Sequence, residues 1–234
     1  LIDTPRSITV VPQEVIKEKN VPPMEAAIRP VTGITFMGGD AAANPSADRP
    51  VIRGFESRNS IFVDGMRDSG VQNRETFDVE SVSVIKGSDS VYAGRGAVGG
   101  SIDIVTKTPQ AENFFNSSVG LGTGSYRRST MDWNQTLGES SAFRLNLMGH
   151  DANQAGRPDI YSKRWGVAPS IAFGLNKPTT VTFSYYHMTN DDMPDFSAPF
   201  GPNGGTPIAT DRSQFYGLNG RDYRPGRTDT GEVK

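Results

Sequence analysis

After Pro109 the chain turns into a series of segments that alternate strictly between apolar and polar residues, and this alternation constrains the fold more than any other feature. Phe115, Val119 and Leu121 fall on one side of the first segment; Asn116, Ser118 and Gly120 fall on the other. The second places Met131, Trp133 and Leu137 opposite Arg128, Thr130, Asp132, Asn134 and Thr136. The third sets Phe143, Leu145 and Leu147 against Arg144 and Asn146. The fourth sets Trp165, Val167, Ile171 and Phe173 against Ala168, Ser170, Ala172 and Gly174. The fifth sets Val181, Phe183 and Tyr185 against Thr180, Thr182 and Ser184. A period of two is that of a β-strand with one apolar and one polar face. The reading is five adjacent antiparallel strands over residues 113–190, with the odd-numbered face apolar.

The connections alternate as well. Gly138–Ser141 and Asn176–Pro178 are short turns, Asp151–Ser162 is longer, and Asp191–Thr228 is very long. Short turns at one end and long loops at the other mark a transmembrane β-barrel. Tyr126, Trp165, Tyr185 and Tyr186 stand near strand ends, where interfacial aromatic girdles belong. A soluble sandwich would need similar loops at both ends and apolar inward faces. Five strands cannot close; a plugged transporter barrel takes about 22. The barrel is therefore expected to be incomplete here, the chain to be the N-terminal part of a longer protein, and a further strand to begin near Thr228–Lys234.

Residues 1–109 read differently, as a mixed α+β domain of short elements. Strands are expected at Ser7–Val11, Gly33–Met37, Pro50–Phe55, Ile61–Val63, Val82–Lys86 and Ser101–Lys107, and helices at Gln13–Asn20 and Met24–Arg29. Asp64-Gly65 is a tight-turn signal, and Asp68–Glu75 reads as a polar loop. The domain boundaries drawn are 1–109 and 110–234.

Composition sets limits. Of 234 residues only 35% are hydrophobic, thin for a soluble globule. The 26 glycines and 16 prolines favour turns and strands over helices. A net charge of −2 predicts no nucleic-acid partner. The absence of cysteine excludes disulfides and zinc-thiolate sites. No apolar run reaches the roughly 18 residues of a transmembrane helix, and no signal peptide is visible at Leu1–Asp3. The two histidines, His150 and His187, lack ligand spacing, so no metal site is expected. Without a G-x-S-x-G elbow or a cysteine nucleophile, nothing points to an enzyme. Asp191-Asp192 reads as solvated carboxylate, and the Asn116-Ser117-Ser118 sequon is discounted because it lies in a strand.

The stretch VIKGSDSVYAGRGAVGGSIDIVTKTP ends the first domain. Its Gly94-Arg95-Gly96-Ala97-Val98-Gly99 matches G-x-G-x-x-G, but a dinucleotide site needs that motif after a strand and opening a helix. Here a helical turn expected at Ser88–Ala93 precedes the motif and a strand follows it, so a tight strand-to-strand connection is the better reading. The stretch resembles the end of the plug domain of TonB-dependent outer-membrane receptors, with Ser88 where that family usually has proline. RPVIRGFESRNSIFVDGMRD, from Arg49 to Asp68, resembles the central plug strands, and FYGLNGRDYR resembles a loop region of catecholate-type siderophore receptors.

The resemblance implies an α+β plug domain followed by antiparallel transmembrane β-barrel strands in the bacterial outer membrane. It implies binding of a ferric siderophore, of catecholate type, and import with energy supplied through TonB. A hydroxamate siderophore or cobalamin cargo is the alternative, and a passive porin-like barrel or a soluble binding protein a more distant one. The partners implied are TonB, the ferric siderophore and outer-membrane lipid. No cofactor is expected, because iron arrives as the siderophore complex. The TonB box is expected before Leu1. By resemblance, Arg53 and Lys86 pair with glutamates of the barrel wall and lock the plug. Cargo is expected over the loops carrying Met37, Gly38, Arg58, Arg67, Asp68, Gln72, Asn73 and Arg74, with Phe215, Tyr216 and Tyr223 from the long loop. Arginines there would offer bidentate contacts and cation–π stacking to anionic aromatic oxygens.

Overall fold

The computed structural model describes residues 7–19, 23–37, 48–70, 72–88, 98–195, 201, 206, 208–211, 213–218 and 221–234. Two compact units emerge: residues 1–38 with 47–107, and residues 39–46 with 108–234.

The first unit runs β1 (Ser7–Pro12), α1 (Gln13–Lys19), α2 (Met24–Ile28), β2 (Ile34–Phe36), β3 (Pro50–Ile52) and β4 (Phe55–Glu56). A 3-10 turn (Arg58–Ser60), β5 (Ile61–Val63), β6 (Met66–Arg67), β7 (Val79–Lys86) and β8 (Gly100–Thr106) follow. One sheet has the order β1-β7-β8-β5-β6, with β5 and β8 parallel; β2, β3 and β4 form a second. Alternation in β7 buries Val82 and Val84 completely. They join Ile16, Met24, Ile28, Ile52, Ile61 and Ile102 in one apolar core. A Cβ on Gly100 would lie 2.1 Å from the Ile85 carbonyl oxygen, and one on Gly99 2.2 Å from that of Ile52. The paired glycines are thus what lets β8 enter the sheet at close backbone approach.

Two local expectations need correction. Pro50–Phe55 is not one strand. Arg53 and Gly54 both take positive φ, 51° and 87°, and fold the chain into a β3–β4 hairpin, so Arg53 sits in a turn. The Asp64-Gly65 turn is present, at φ 50° and 79°, and its hairpin creates β6 where only a loop was expected. Residues 89–93 of the helical turn expected at Ser88–Ala93 and residues 94–97 of the glycine motif lie outside the described residues.

The second unit is an antiparallel meander: β9 (Phe114–Leu121), β10 (Arg127–Thr136), β11 (Ser141–Gln154), β12 (Arg157–Phe173), β13 (Val181–Asp192) and β14 (Arg224–Val233). Each strand pairs with its sequence neighbours. The connection expected over Asp151–Ser162 is instead strand, because the ladder continues upward to a turn at Ala155-Gly156. The sixth strand likewise begins at Arg224 rather than Thr228.

The faces are as the alternation requires. Phe115, Val119, Leu121, Trp133, Leu137, Trp165, Phe173, Val181, Phe183, Tyr185 and Val233, all odd-numbered, are exposed. Arg128, Asp132, Asn134, Arg144, Asn146, Ser170 and Thr182, all even-numbered, are buried. This inverts a water-soluble sheet. A charged row, Arg127, Asp151, Lys163 and Asp191, runs across the odd face in direct cross-strand register. The apolar surface reaches that row at Leu121 on β9 but stops lower, at Tyr185, on β13. Strand tilt and stagger in a barrel produce such a slope.

Candidate functional site

The first unit gathers its loops by backbone hydrogen bonds. Met37 N–H donates to the Arg49 carbonyl at 3.1 Å and Asp48 N–H to that of Gln72 at 3.1 Å. Asp68 N–H donates to the Ile61 carbonyl at 2.9 Å. These contacts bring together Met37, Asp48, Arg49, Asp68 and Gln72–Arg74. Gly38 lies outside the described residues.

Three arginines expected at this site have different fates. Arg67 is exposed; its guanidinium lies over the Phe62 ring at 5.2 Å from the centroid and donates to the Asn59 carbonyl. Arg58 is half-exposed, with Nε 3.8 Å from Glu56 Oε1, an oxygen that Arg49 also approaches, at 3.3 Å. Arg74 departs from expectation: it is buried at 7% exposure and its guanidinium serves an internal network. Its Nε and Nη2 donate to Asp68 Oδ2 at 3.0 and 2.8 Å, and Nη2 to the Gly70 carbonyl at 3.1 Å. Its Nη1 and its backbone N–H both donate to Asp48 Oδ2, at 3.3 and 2.9 Å. Gln72 Nε2 adds a further bond to Asp68 Oδ2 at 3.1 Å. Asp68, Gln72 and Arg74 therefore build the loop frame, whereas Arg67, Arg58, Met37 and the half-buried Asn73 are presented by it.

Asp48 anchors that frame. It is fully buried, and burial pushes its carboxyl up to about 6 against the pull of the Arg74 guanidinium. Its Oδ1 has no hydrogen-bond partner. Sequence reading missed Asp48 and Arg49, which sit at the end of a polar loop with no pattern of their own.

Arg53 and Lys86 both lie in the first unit. Arg53 Nη1 is 3.4 Å from where a Cβ on Gly87 would stand, and Lys86 Nζ donates to Thr32 Oγ1 at 3.3 Å. Neither makes an ion pair among the described residues.

In the second unit, Phe215 and Tyr216 are half-buried and Tyr223 is 46% exposed. Arg157 ties the long connection at its base, donating to Asp195 Oδ2 at 2.7 Å and to the Gln214 carbonyl at 3.0 Å. His187 Nδ1 is 2.8 Å from Asp229 Oδ1, and no cluster of three metal-ligating residues occurs among the described residues.

Residues 1–101 match the TonB-dependent Receptor Plug Domain family. With that domain, the inverted sheet after it and the similarities below, which run along nearly all of this chain, the chain belongs to the TonB-dependent receptors, proteins of the bacterial outer membrane. It is a plug domain followed by strands of an unclosed barrel. It is 44% identical over 227 residues to the "Probable TonB-dependent receptor BfrD" of Bordetella pertussis, covering 95% of this chain and 30% of that one. It is 36% identical over 245 residues to the "Catecholate siderophore receptor Fiu" of Escherichia coli K12, covering 99% and 32%. The crystal structure of the siderophore receptor PiuA from Acinetobacter baumannii superposes with a TM-score of 0.94 at 40% identity, over 100% of this chain and 34% of that one. The chain thus spans about a third of the length of the curated relatives it matches.

Proposed function

We propose that the protein carrying this chain binds a ferric catecholate siderophore at the outer membrane and imports it with energy supplied through TonB. It is a transporter rather than an enzyme, and iron is its cargo rather than a resident cofactor. The observation that carries the reading is Arg67. An exposed guanidinium stacked on Phe62 offers positive charge and an aromatic surface together, and a ferric tris-catecholate is anionic with flat rings. Similarity to a catecholate siderophore receptor supports the cargo class. Phe215, Tyr216 and Tyr223 would add stacking surface from the long connection. Arg67→Ala should weaken binding of a ferric catecholate by about 1.5–3 kcal/mol, the range for a hydrogen bond to a charged group. Equal affinity in the mutant, or tighter binding of a neutral hydroxamate complex, would remove the catecholate assignment.

Arg53 and Lys86, two cations of the plug with no ion pair among the described residues, are suited to carboxylates on a barrel wall. Reversible ion pairs hold a plug that must move better than an apolar seam would. Arg53→Ala should leave cargo binding in place and alter uptake; normal uptake by the Arg53→Ala, Lys86→Ala double mutant would end the lock assignment.

The exposed odd-numbered face is suited to lipid. Leu145→Arg, between Phe143 and Leu147 on the apolar face of β11, should cost about 2–4 kcal/mol of barrel stability in bilayers, as a cation near the midplane does. A cost near zero would mean that this face meets water.

A further inference from the structure

Arg157 opens β12, directly after the Ala155-Gly156 turn. Its side chain is 14% exposed, and its ion-pair partner Asp195 is 31% exposed. Asp195 lies on the outgoing limb of the long connection, just past the end of β13. Gln214 lies on the returning limb, directly before Phe215 and Tyr216. The guanidinium donates to both: Nη1 to the Asp195 carboxylate at 2.7 Å, Nη2 to the Gln214 carbonyl at 3.0 Å.

A guanidinium is a rigid planar fork, so two acceptors on two of its nitrogens are fixed in relative position. The Gln214 carbonyl cannot turn without losing its bond, which sets the peptide plane from which Phe215 departs. The ladder supports the outgoing limb independently, because Met193 N–H donates to the Tyr161 carbonyl at 2.9 Å. The returning limb at Gln214 is therefore the side for which Arg157 matters most. Beyond Gln214 the half-buried rings of Phe215 and Tyr216 follow immediately.

We propose that Arg157 is a positioning residue for cargo recognition: by fastening Gln214 to Asp195 it sets the placement of the Phe215–Tyr216 ring pair, and through it the affinity for a flat aromatic ligand. This rests on the catecholate reading for the ligand, though not for the placement of the rings. Arg157 itself need not touch cargo.

Two measurements on the intact receptor in detergent micelles test it. The first is amide exchange over residues 213–218 without cargo. Arg157→Gln should raise exchange there about tenfold while β10 and β11 amides are unchanged, and Arg157→Lys, which keeps the bond to Asp195, should raise it less. Asp195→Asn breaks the same tie from the other side and should reproduce the effect if Arg157→Gln folds poorly. The second is a double-mutant cycle with a synthetic ferric tris-catecholate. Arg157→Gln should weaken binding about tenfold in the wild-type background and less than twofold in a Phe215→Ala, Tyr216→Ala background. Unchanged exchange over 213–218 overturns the proposal, as does an equal loss of affinity in both backgrounds. Absence of catecholate binding to wild type, with exchange accelerated as expected, overturns the cargo reading and leaves the positioning role standing.

Discussion

Arg144→Ala is expected to destabilise the barrel segment by about 3–5 kcal/mol, the range for breaking a buried pair from one side. Arg144 is 2% exposed on the even-numbered face of β11. Its Nε and Nη2 grip both oxygens of Asp132 at 2.8 and 2.9 Å, a bidentate pair across β10 and β11. Its remaining nitrogen, Nη1, donates to the Thr108 carbonyl at 2.8 Å, and its plane lies 5.1 Å from the Phe114 ring centroid. Asn134 works beside it. Its Nδ2 donates to the Gln110 and Glu112 carbonyls at 2.8 and 2.5 Å, and its Oδ1 accepts the Gln110 N–H at 3.0 Å. Together they hold the segment that enters β9 against the sheet. Loss of the guanidinium takes the cation from the buried Asp132 carboxylate and frees the Thr108 carbonyl at once. Amide exchange at Gln110 is the local readout and should rise in Arg144→Ala, because its acceptor Asn134 loses a neighbour that packs the strand entrance. Replacing both partners, Arg144→Met with Asp132→Leu, should restore most of the stability, since no charge is then left buried. Protection at Gln110 equal to wild type in Arg144→Ala would show that the pair does not hold this segment.

Arg144 also shows where sequence reading stops. Its place on the polar face is legible from period two alone, as are those of Asp132 and Asn134. That Arg144 meets Asp132 is not, because it depends on a register in which Asn134 opposes Arg144 and Asp132 opposes Asn146. Register follows from where the turns fall, and a polar-rich hairpin can extend or stop without any change in alternation. The same cause hid the upper parts of β11 and β12, whose residues Asp151, Asn153 and Ser162 read as loop although they pair as strand. Arg53 was misplaced for a local reason: an arginine at positive φ is uncommon, and only the glycine after it hinted at a turn. Arg74 was misjudged because a polar loop reads as solvated, while the carboxylates that bury it come from distant positions, 26 and 6 residues away. Domain type and, after Pro109, the faces and order of the strands were local properties of the chain; the order β1-β7-β8-β5-β6 of the first sheet and the side-chain partners were not.

The second large effect is expected at Arg74, and it should depend on pH. Arg74→Ala removes the guanidinium shared by Asp48 and Asp68 and should cost the plug about 3–5 kcal/mol near neutral pH, where Asp48 is ionised and buried. Burial raises the Asp48 carboxyl from 3.8 to about 6 while Arg74 lowers it. A carboxyl raised by folding binds its proton more tightly in the native state than in the unfolded chain. Its contribution to stability is full below 3.8 and is lost as pH rises through about 6. In wild type Arg74 limits that loss. In Arg74→Ala nothing limits it, the Asp48 carboxyl rises further, and the loss extends to higher pH. The mutational penalty should therefore be smaller at about pH 5, where a neutral Asp48 no longer needs a cation, than at about pH 8. Asp48→Asn should remove most of this pH dependence, and in combination with Arg74→Ala it should recover part of the stability. The plug lacks tryptophan, since Trp133 and Trp165 lie on β10 and β12, so the measurement is exchange protection of the β7 amides, corrected for intrinsic rate at each pH. A penalty that is the same at both pH values, or larger at the lower one, would show that Arg74 holds the loops through Asp68 alone and that Asp48 does not titrate against it.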